Sequence, residues 1–141
     1  MNQKPDHFYR QSAVVPYRLA HGHLEILLIS SRSRKRWVLP KGIVEPDLSA
    51  AASATKEALE EAGIEGNTGR QSLGTYTYEK WDGLCTVEVF PMLVELEHPT
   101  WEEDFRIREW VSVSEAASRL DEPELRSIIL ELAADKETPG S

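Results

Sequence analysis

The 141 residues carry 16 Lys+Arg against 24 Asp+Glu and are 40% hydrophobic, a composition that fits one soluble globular domain rather than a disordered, collagen-like or membrane chain. The single cysteine, Cys85, excludes an internal disulfide, and four histidines without ligand spacing argue against a structural zinc. A net charge of −8 opposes extended contact with nucleic acid or an anionic membrane. No apolar run is long enough to span a bilayer and the first residues lack a secretory core, so we expect a cytoplasmic protein with a reduced thiol.

The polar ends, residues 1–7 and 135–141, are expected to be flexible, leaving one domain over 8–134. Within it, Ser12–Tyr17 and Leu24–Ser30 are β-rich runs joined through an HGH turn, the pattern of a hairpin. A short strand through Trp37, Val38 and Leu39 ends at Pro40, and residues 41–47 read as a loop punctuated by Gly42 and Pro46. A helix follows from Ala50 to Ala62, capped by Ser49 or Asp47 and stopped by Gly63. Residues 65–69 read as a turn. Strands over 72–79 and 84–96 flank a WDG turn, with Cys85, Val87 and Val89 on one face and Pro91 implying a bulge or an edge position. A last strand over 109–113 precedes helices at 114–120 and 123–134. The second of these has an apolar stripe of Leu125, Ile128, Ile129 and Leu132, suited to packing on its own sheet more than to a dimer. The order predicts an α+β fold, an α/β/α sandwich around a mixed sheet.

Two clusters carry chemistry. From Ser31 to Lys41 the chain holds Arg32, Arg34, Lys35, Arg36 and Lys41 and no acid. Ser31, Arg32, Arg34 and Arg36 are therefore candidates to grip phosphate groups through charge-assisted hydrogen bonds, against the plainer alternative of a basic surface hairpin. On the following helix, Glu57, Glu60 and Glu61 fall within an arc of roughly 100°. Ala51, Thr55, Ala58, Leu59 and Ala62 lie opposite, free to pack on a sheet. Clustered carboxylates repel and need a positive partner. Mg²⁺ prefers such oxygen ligands and binds substrate phosphates as well, although a solvated acidic face would look the same.

The segment Gly42–Ile64, GIVEPDLSAAASATKEALEEAGI, resembles the Nudix box of pyrophosphohydrolases, G-x5-E-x7-R-E-U-x-E-E-x-G-U, where U is bulky and apolar. Gly42, Glu57, Glu60, Glu61, Gly63 and Ile64 match in register. Ala58 is smaller than the usual U, Leu48 replaces the first Glu, and Lys56 replaces Arg. If the family's Arg pairs with that first Glu, losing the carboxylate removes the need for a planar guanidinium and makes Lys tolerable. WVLPKG, YTYEKWDGLCTVEVFPMLVEL and EDFRIREWV further resemble the diphosphoinositol polyphosphate phosphohydrolase branch, related to dinucleoside polyphosphate hydrolases.

The resemblance implies a Nudix fold and metal-dependent attack of water on a phosphoanhydride of a small anionic phosphorylated substrate. By position, Glu57 and Glu61 would be the principal Mg²⁺ ligands, with Mn²⁺ as a substitute. Glu60 would be general base or complete the metal site, and Gly42 and Lys41 would bring backbone and a cation to the same centre. Arg106 and Arg108 would face polyphosphate, against the plainer alternative that one of them balances Glu102–Asp104, and Glu103 is the preferred extra acid. Glu45 is a further possible ligand, and Tyr76, Tyr78 and Trp81 are possible ring-stacking contacts, whereas Trp37 and Trp110 read as core or groove walls. His21 and His23 receive no role, and Cys85 reads as core. Two alternatives stay open: a non-catalytic nucleotide- or polyphosphate-binding module that has let Leu48 and Lys56 drift, and an RNA 5′-end pyrophosphohydrolase. The expected state is monomer or homodimer.

Overall fold

The computed structural model describes residues 7–80 and 82–137. In chain order they form β1 (His7–Ala20), β2 (His23–Ser30), β3 (Trp37–Val38), β4 (Lys41–Ile43) and α1 (Ala50–Glu57), which continues as a π-helical turn over Ala58–Ala62. Then come β5 (Ile64–Thr68), β6 (Gly74–Lys80), β7 (Gly83–Glu97), β8 (Arg108–Ser112), α2 (Val113–Arg119) and α3 (Pro123–Glu137). No helix among the described residues is long and apolar enough to cross a membrane.

Strand β1 is the spine. On one side it runs parallel to β7, from His7 opposite Gly83 to Tyr17 opposite Leu93. On the other it pairs antiparallel with β4 and then with β2. β2 in turn carries β3 and β8, and the outer edge of β7 carries β6 and β5, so the strands make one mixed sheet. The β1–β2 hairpin closes through His21 (φ 54°) and Gly22 (φ 81°), two left-handed residues whose twist matches that of the flanking strands.

Alternation along the strands sends side chains to two separate cores. Ala13, Val15 and Tyr17 of β1 join Leu24, Ile26 and Leu28 against Leu125, Ile129 and Leu132 of α3. Val14 joins Leu27, Ile29, Phe90 and Met92 beneath Ala50, Ala54, Ala58 and Ala62. Four alanines at intervals of four give α1 a flat, small-residue face, so the helix lies close on the sheet and its carboxylates are held near the strand ends. The expected helix–sheet–helix layering and the stripe on α3 are therefore present. Leu59, expected on the packed side, is 41% exposed, because the alanine row, not the whole opposite half of the helix, meets the sheet.

Four local expectations are corrected. Residues 41–43 form β4 rather than loop, since they meet a length of β1 that β2 does not reach. Residues 64–68 form β5 rather than a turn, its polar sequence taking a register shift at Glu65/Gly66 against β7. Pro91 lies at neither an edge nor a bulge of β7; it sits where the antiparallel partner changes from β6, ending at Val89, to β5, starting at Met92, a place that needs no ladder donor. Helix α3 runs on to Glu137, past the expected end at 134. The expected flexibility of 1–6 and 138–141, and Trp81 of the WDG turn, lie outside the described residues.

Gly63 ends the π-helical turn at φ 66°, and a Cβ there would overlap the Trp101 indole. Gly63→Ala is expected to lose about 2 kcal/mol or more in urea unfolding, from left-handed strain plus displacement of the ring. An unchanged midpoint would show that the helix end rearranges freely.

Candidate active site

Ser49 starts the helix, its Oγ accepting the Ala52 N–H at 3.1 Å. Over Ala58–Ala62 the helix widens, the Gly63 N–H reaching both the Ala58 and the Leu59 carbonyls. In a regular α-helix residues four apart are offset by about 40°. A turn closed by longer-range hydrogen bonds takes more residues, so positions 57 and 61 come closer to one line while position 60 swings aside. The Glu57 and Glu61 side chains line one cavity; Glu60 is not among its lining residues. The sequence gives no sign of this π-helical turn.

Gly42 fits beside that pair because it has no side chain: a Cβ there would overlap the Glu57 carboxylate. β4 brings it there by pairing Gly42 with Ser12, and the neighbouring Lys41 backbone N–H donates to Glu61 Oε1 at 3.2 Å.

The segment between β7 and β8 meets the end of the helix carbonyl by carbonyl. The Glu103 N–H donates to Glu60 O at 3.0 Å and the His98 N–H to Gly63 O at 2.8 Å. Trp101 Nε1 donates to Glu61 O at 2.9 Å, and Arg108 Nη1 donates to Ala62 O at 2.9 Å. The helix C-terminus thus finds partners that it cannot supply itself.

These contacts decide where the expected cations go. Arg108, expected to face polyphosphate, instead caps the helix and stacks 4.0 Å above the Trp101 ring. Arg34, expected to grip phosphate, donates from Nε and Nη2 to the Phe105 carbonyl at 3.1 and 2.7 Å, fixing the hairpin to the 98–107 segment. Neither lines the cavity. Arg106 does, but it is a buried tie: it donates to Ser30 O and, through Nε and Nη2, to Glu103 Oε1. Ser31, Arg32, Arg36 and Lys41 line the cavity together with Gly42, Glu57, Glu61 and Glu103. Arg32 lies 3.7 Å from Glu103 and Arg36 3.7 Å from Asp121, and both guanidiniums are largely exposed. The structure therefore brings an acidic wall and a basic wall together around a space of about 580 Å³.

Trp37 and Trp110 are partly buried beneath Arg119 and Arg18 respectively, as walls and not as open platforms. Cys85 is buried and free. Lys56 Nζ lies 2.7 Å from Glu45 Oε2, and the Glu45 N–H donates to Ser53 Oγ. Glu45 thus gives Lys56 a carboxylate partner and ties the loop to the helix. Sequence reasoning left this residue as a possible metal ligand; spacing alone could not show that the loop folds back by three residues.

Burial pushes the Glu61 carboxyl up to about 8, against the pull of Arg106 and the Lys41 N–H. Burial and the neighbouring Glu60 push Glu57 up as well. Burial lowers the Lys41 ammonium, which keeps its charge more weakly than a solvated lysine. Among the described residues no three His, Cys, Asp or Glu side chains gather as a ready metal cage. Two adjoining, under-neutralised carboxyl groups against a glycine cradle nevertheless fit a hard divalent cation that keeps several waters. Without such a cation, stability is expected to fall as pH rises from about 4.5 towards 8, because the folded protein holds a proton on Glu61 that the unfolded chain releases. Thermal melts should show this slope in wild type and a flatter one in Glu61→Gln; identical slopes would remove Glu61 as the cause.

Comparisons place this geometry in a family. The NUDIX domain model matches residues 8–132. Nudix hydrolase 21, chloroplastic, of Arabidopsis thaliana is 41% identical over 116 residues, covering 77% of this chain and 58% of that protein. Diphosphoinositol polyphosphate phosphohydrolase 3-beta of Bos taurus is 31% identical over 115 residues, covering 79% and 69%. The chain spans about three fifths of the length of the first Arabidopsis relatives it matches. Among solved structures, a C. elegans Ap4A hydrolase binary complex shares the fold at a TM-score of 0.69 and 23% identity, covering 92% of this chain and 98% of that one. With the family model matched across most of its length, the chain belongs to the Nudix family.

Proposed function

We propose that the chain is a Mg²⁺-dependent pyrophosphohydrolase, with Mn²⁺ as a substitute, cleaving a phosphoanhydride in a polyphosphorylated metabolite of the dinucleoside polyphosphate or diphosphoinositol polyphosphate type. The observation that carries the reading is the single cavity in which the Glu57–Glu61 pair, backed by Gly42, faces Arg32 and Arg36. Phosphoryl transfer asks for positioning and charge neutralisation more than for covalent chemistry, and this cavity offers both signs of charge at substrate distance.

In this reading Glu57 and Glu61 hold the cation, with the Gly42 backbone alongside. When bound, it supplies Lewis acidity toward the phosphate and a lowered pKa for its water. Glu60, set aside by the π-helical turn, is the candidate general base or outer ligand. Glu103, pinned by Arg106, is the candidate extra acid. Ser31, Arg32, Arg36 and Lys41 receive the phosphates remote from the scissile bond, and Arg106 organises that wall. Cytoplasmic placement is part of the proposal and rests on the free buried thiol Cys85; the matched Arabidopsis relatives are named chloroplastic or mitochondrial.

The binding-only alternative drew on Leu48 and Lys56 alone. The Lys56–Glu45 bond gives those departures a structural use, which favours the catalytic reading. The RNA 5′-end alternative is opposed by the net charge of −8.

Phosphate release from a panel of a dinucleoside tetraphosphate, a diphosphoinositol polyphosphate and a capped oligonucleotide, with and without Mg²⁺, tests the reading. Glu60→Gln and Glu61→Gln are each expected to lower turnover about 10²-fold or more without loss of melting temperature; unchanged turnover takes them out of the mechanism. Because Glu45 already holds Lys56, the Leu48→Glu, Lys56→Arg double variant is expected to remain within several-fold of wild type. A large gain would mean that the natural site is impaired.

A further inference from the structure

Among the described residues, the buried side chains of Gln11, Ser30, Ser53 and Arg106 all have partners. Gln11 Oε1 accepts from the Tyr78 hydroxyl at 2.7 Å, Ser30 Oγ accepts the Ile107 N–H at 2.9 Å and Ser53 Oγ accepts the Glu45 N–H at 3.0 Å, while Arg106 donates to Ser30 O and Glu103. Ser12 is the exception. It is 0% exposed, and its Oγ makes no hydrogen bond. A buried polar atom is normally paired, so an orphan beside a candidate site calls for an explanation.

Ser12 sits on β1, opposite Gly42 of β4 and Glu88 of β7. Residues directly opposite in an antiparallel pair send their side chains to the same face, with Cβ positions about 5 Å apart. On that face the place of a Gly42 side chain is taken by the Glu57 carboxylate, which a Cβ there would overlap. Val14, two residues along β1 and so on the same face as Ser12, packs under the alanines of α1. The hydroxyl is therefore enclosed between sheet and helix, beside the Glu57 carboxylate, and does not line the cavity. Glu88, the other acid on this face, lies 4.0 Å from the exposed Arg10.

Packing alone does not account for a serine here, since alanine would fill the same strand position without burying an unpaired hydroxyl. Cation binding does. A carboxylate that gives lone pairs to a cation keeps others that take hydrogen bonds, and donors to those orient it toward the ion. Glu61 has such a donor in the Lys41 N–H, at 3.2 Å. Ser12 is placed to be the counterpart for Glu57.

We propose that Ser12 is a positioning residue, whose Oγ–H donates to the Glu57 carboxylate and fixes it for cation binding. It meets neither substrate nor cation and acts only through Glu57. This role rests on Glu57 holding the cation, as proposed above.

The test is Mn²⁺ binding to the full chain without substrate, followed through the electron paramagnetic resonance signal of the free ion, with melting temperatures of the metal-free proteins measured in parallel. Ser12→Ala is expected to weaken Mn²⁺ binding about tenfold. Its metal-free melting temperature should match or exceed that of wild type, because the hydroxyl removed had no partner. Wild-type affinity in Ser12→Ala overturns the proposal, and so does a loss of affinity that comes with a lower metal-free melting temperature, which would make the hydroxyl a structural group. Glu57→Gln separates this failure from that of the reading beneath it. It is expected to weaken binding about tenfold or more; if it does so while Ser12→Ala binds as wild type, Glu57 stays a ligand and only the role of Ser12 falls. If Glu57→Gln itself binds as wild type, both fall. Glu88→Ala is expected to keep wild-type affinity, and a loss equal to that of Ser12→Ala would assign the hydroxyl to Glu88 and overturn the proposal.

Discussion

The end of a helix exposes carbonyl oxygens that the helix itself cannot satisfy, and here that deficit organises the candidate site. Glu60, Glu61, Ala62 and Gly63 each receive a hydrogen bond from the segment that follows β7, through Glu103, Trp101, Arg108 and His98. The same segment presents Glu103 and Arg106 to the cavity. The acids on the helix and the groups across from them are thus parts of one hydrogen-bonded frame, and neither wall can shift without straining the other. Ser30 extends the frame to the sheet: its carbonyl accepts from Arg106 and its Oγ from the Ile107 N–H.

Much of this was legible from residues alone. The alanines on α1, the stripe on α3 and the alternation of β1, β2 and β7 obey the two periods that separate helix from strand. Gly42 and Gly63 could be singled out from the box pattern, and the structure supplies their physical reasons, a carboxylate pressed against one and an indole against the other. The illegible parts share a cause. β4 and β5 are polar and short, and they are strands because of what lies beside them, not because of their own propensity. Arg108 could not be told from Arg106 by spacing, since what separates them is the position of a helix end far away in sequence.

The Lys56–Glu45 pair tethers the loop to the helix. A single hydrogen-bonded ion pair near the surface contributes little to overall stability. What it fixes is the path of the loop between Gly42 and the first turn of α1, and with it the approach of the backbone to Glu57. The Glu45 N–H to Ser53 Oγ contact holds the same loop by a second, uncharged route.

The parallel pairing of β1 with β7 has a consequence for how the molecule forms. Residues 7–17 find their partners at 83–93, so the central ladder closes only after nearly the whole domain is available, at the entropic expense of a long intervening loop. The hairpin of β1 and β2 can form at once, leaving the opposite edge of β1 open in the meantime. Such non-local topology slows folding relative to helical domains of similar size, and the unpaired edge would be the surface on which a nascent chain is most exposed to misassociation.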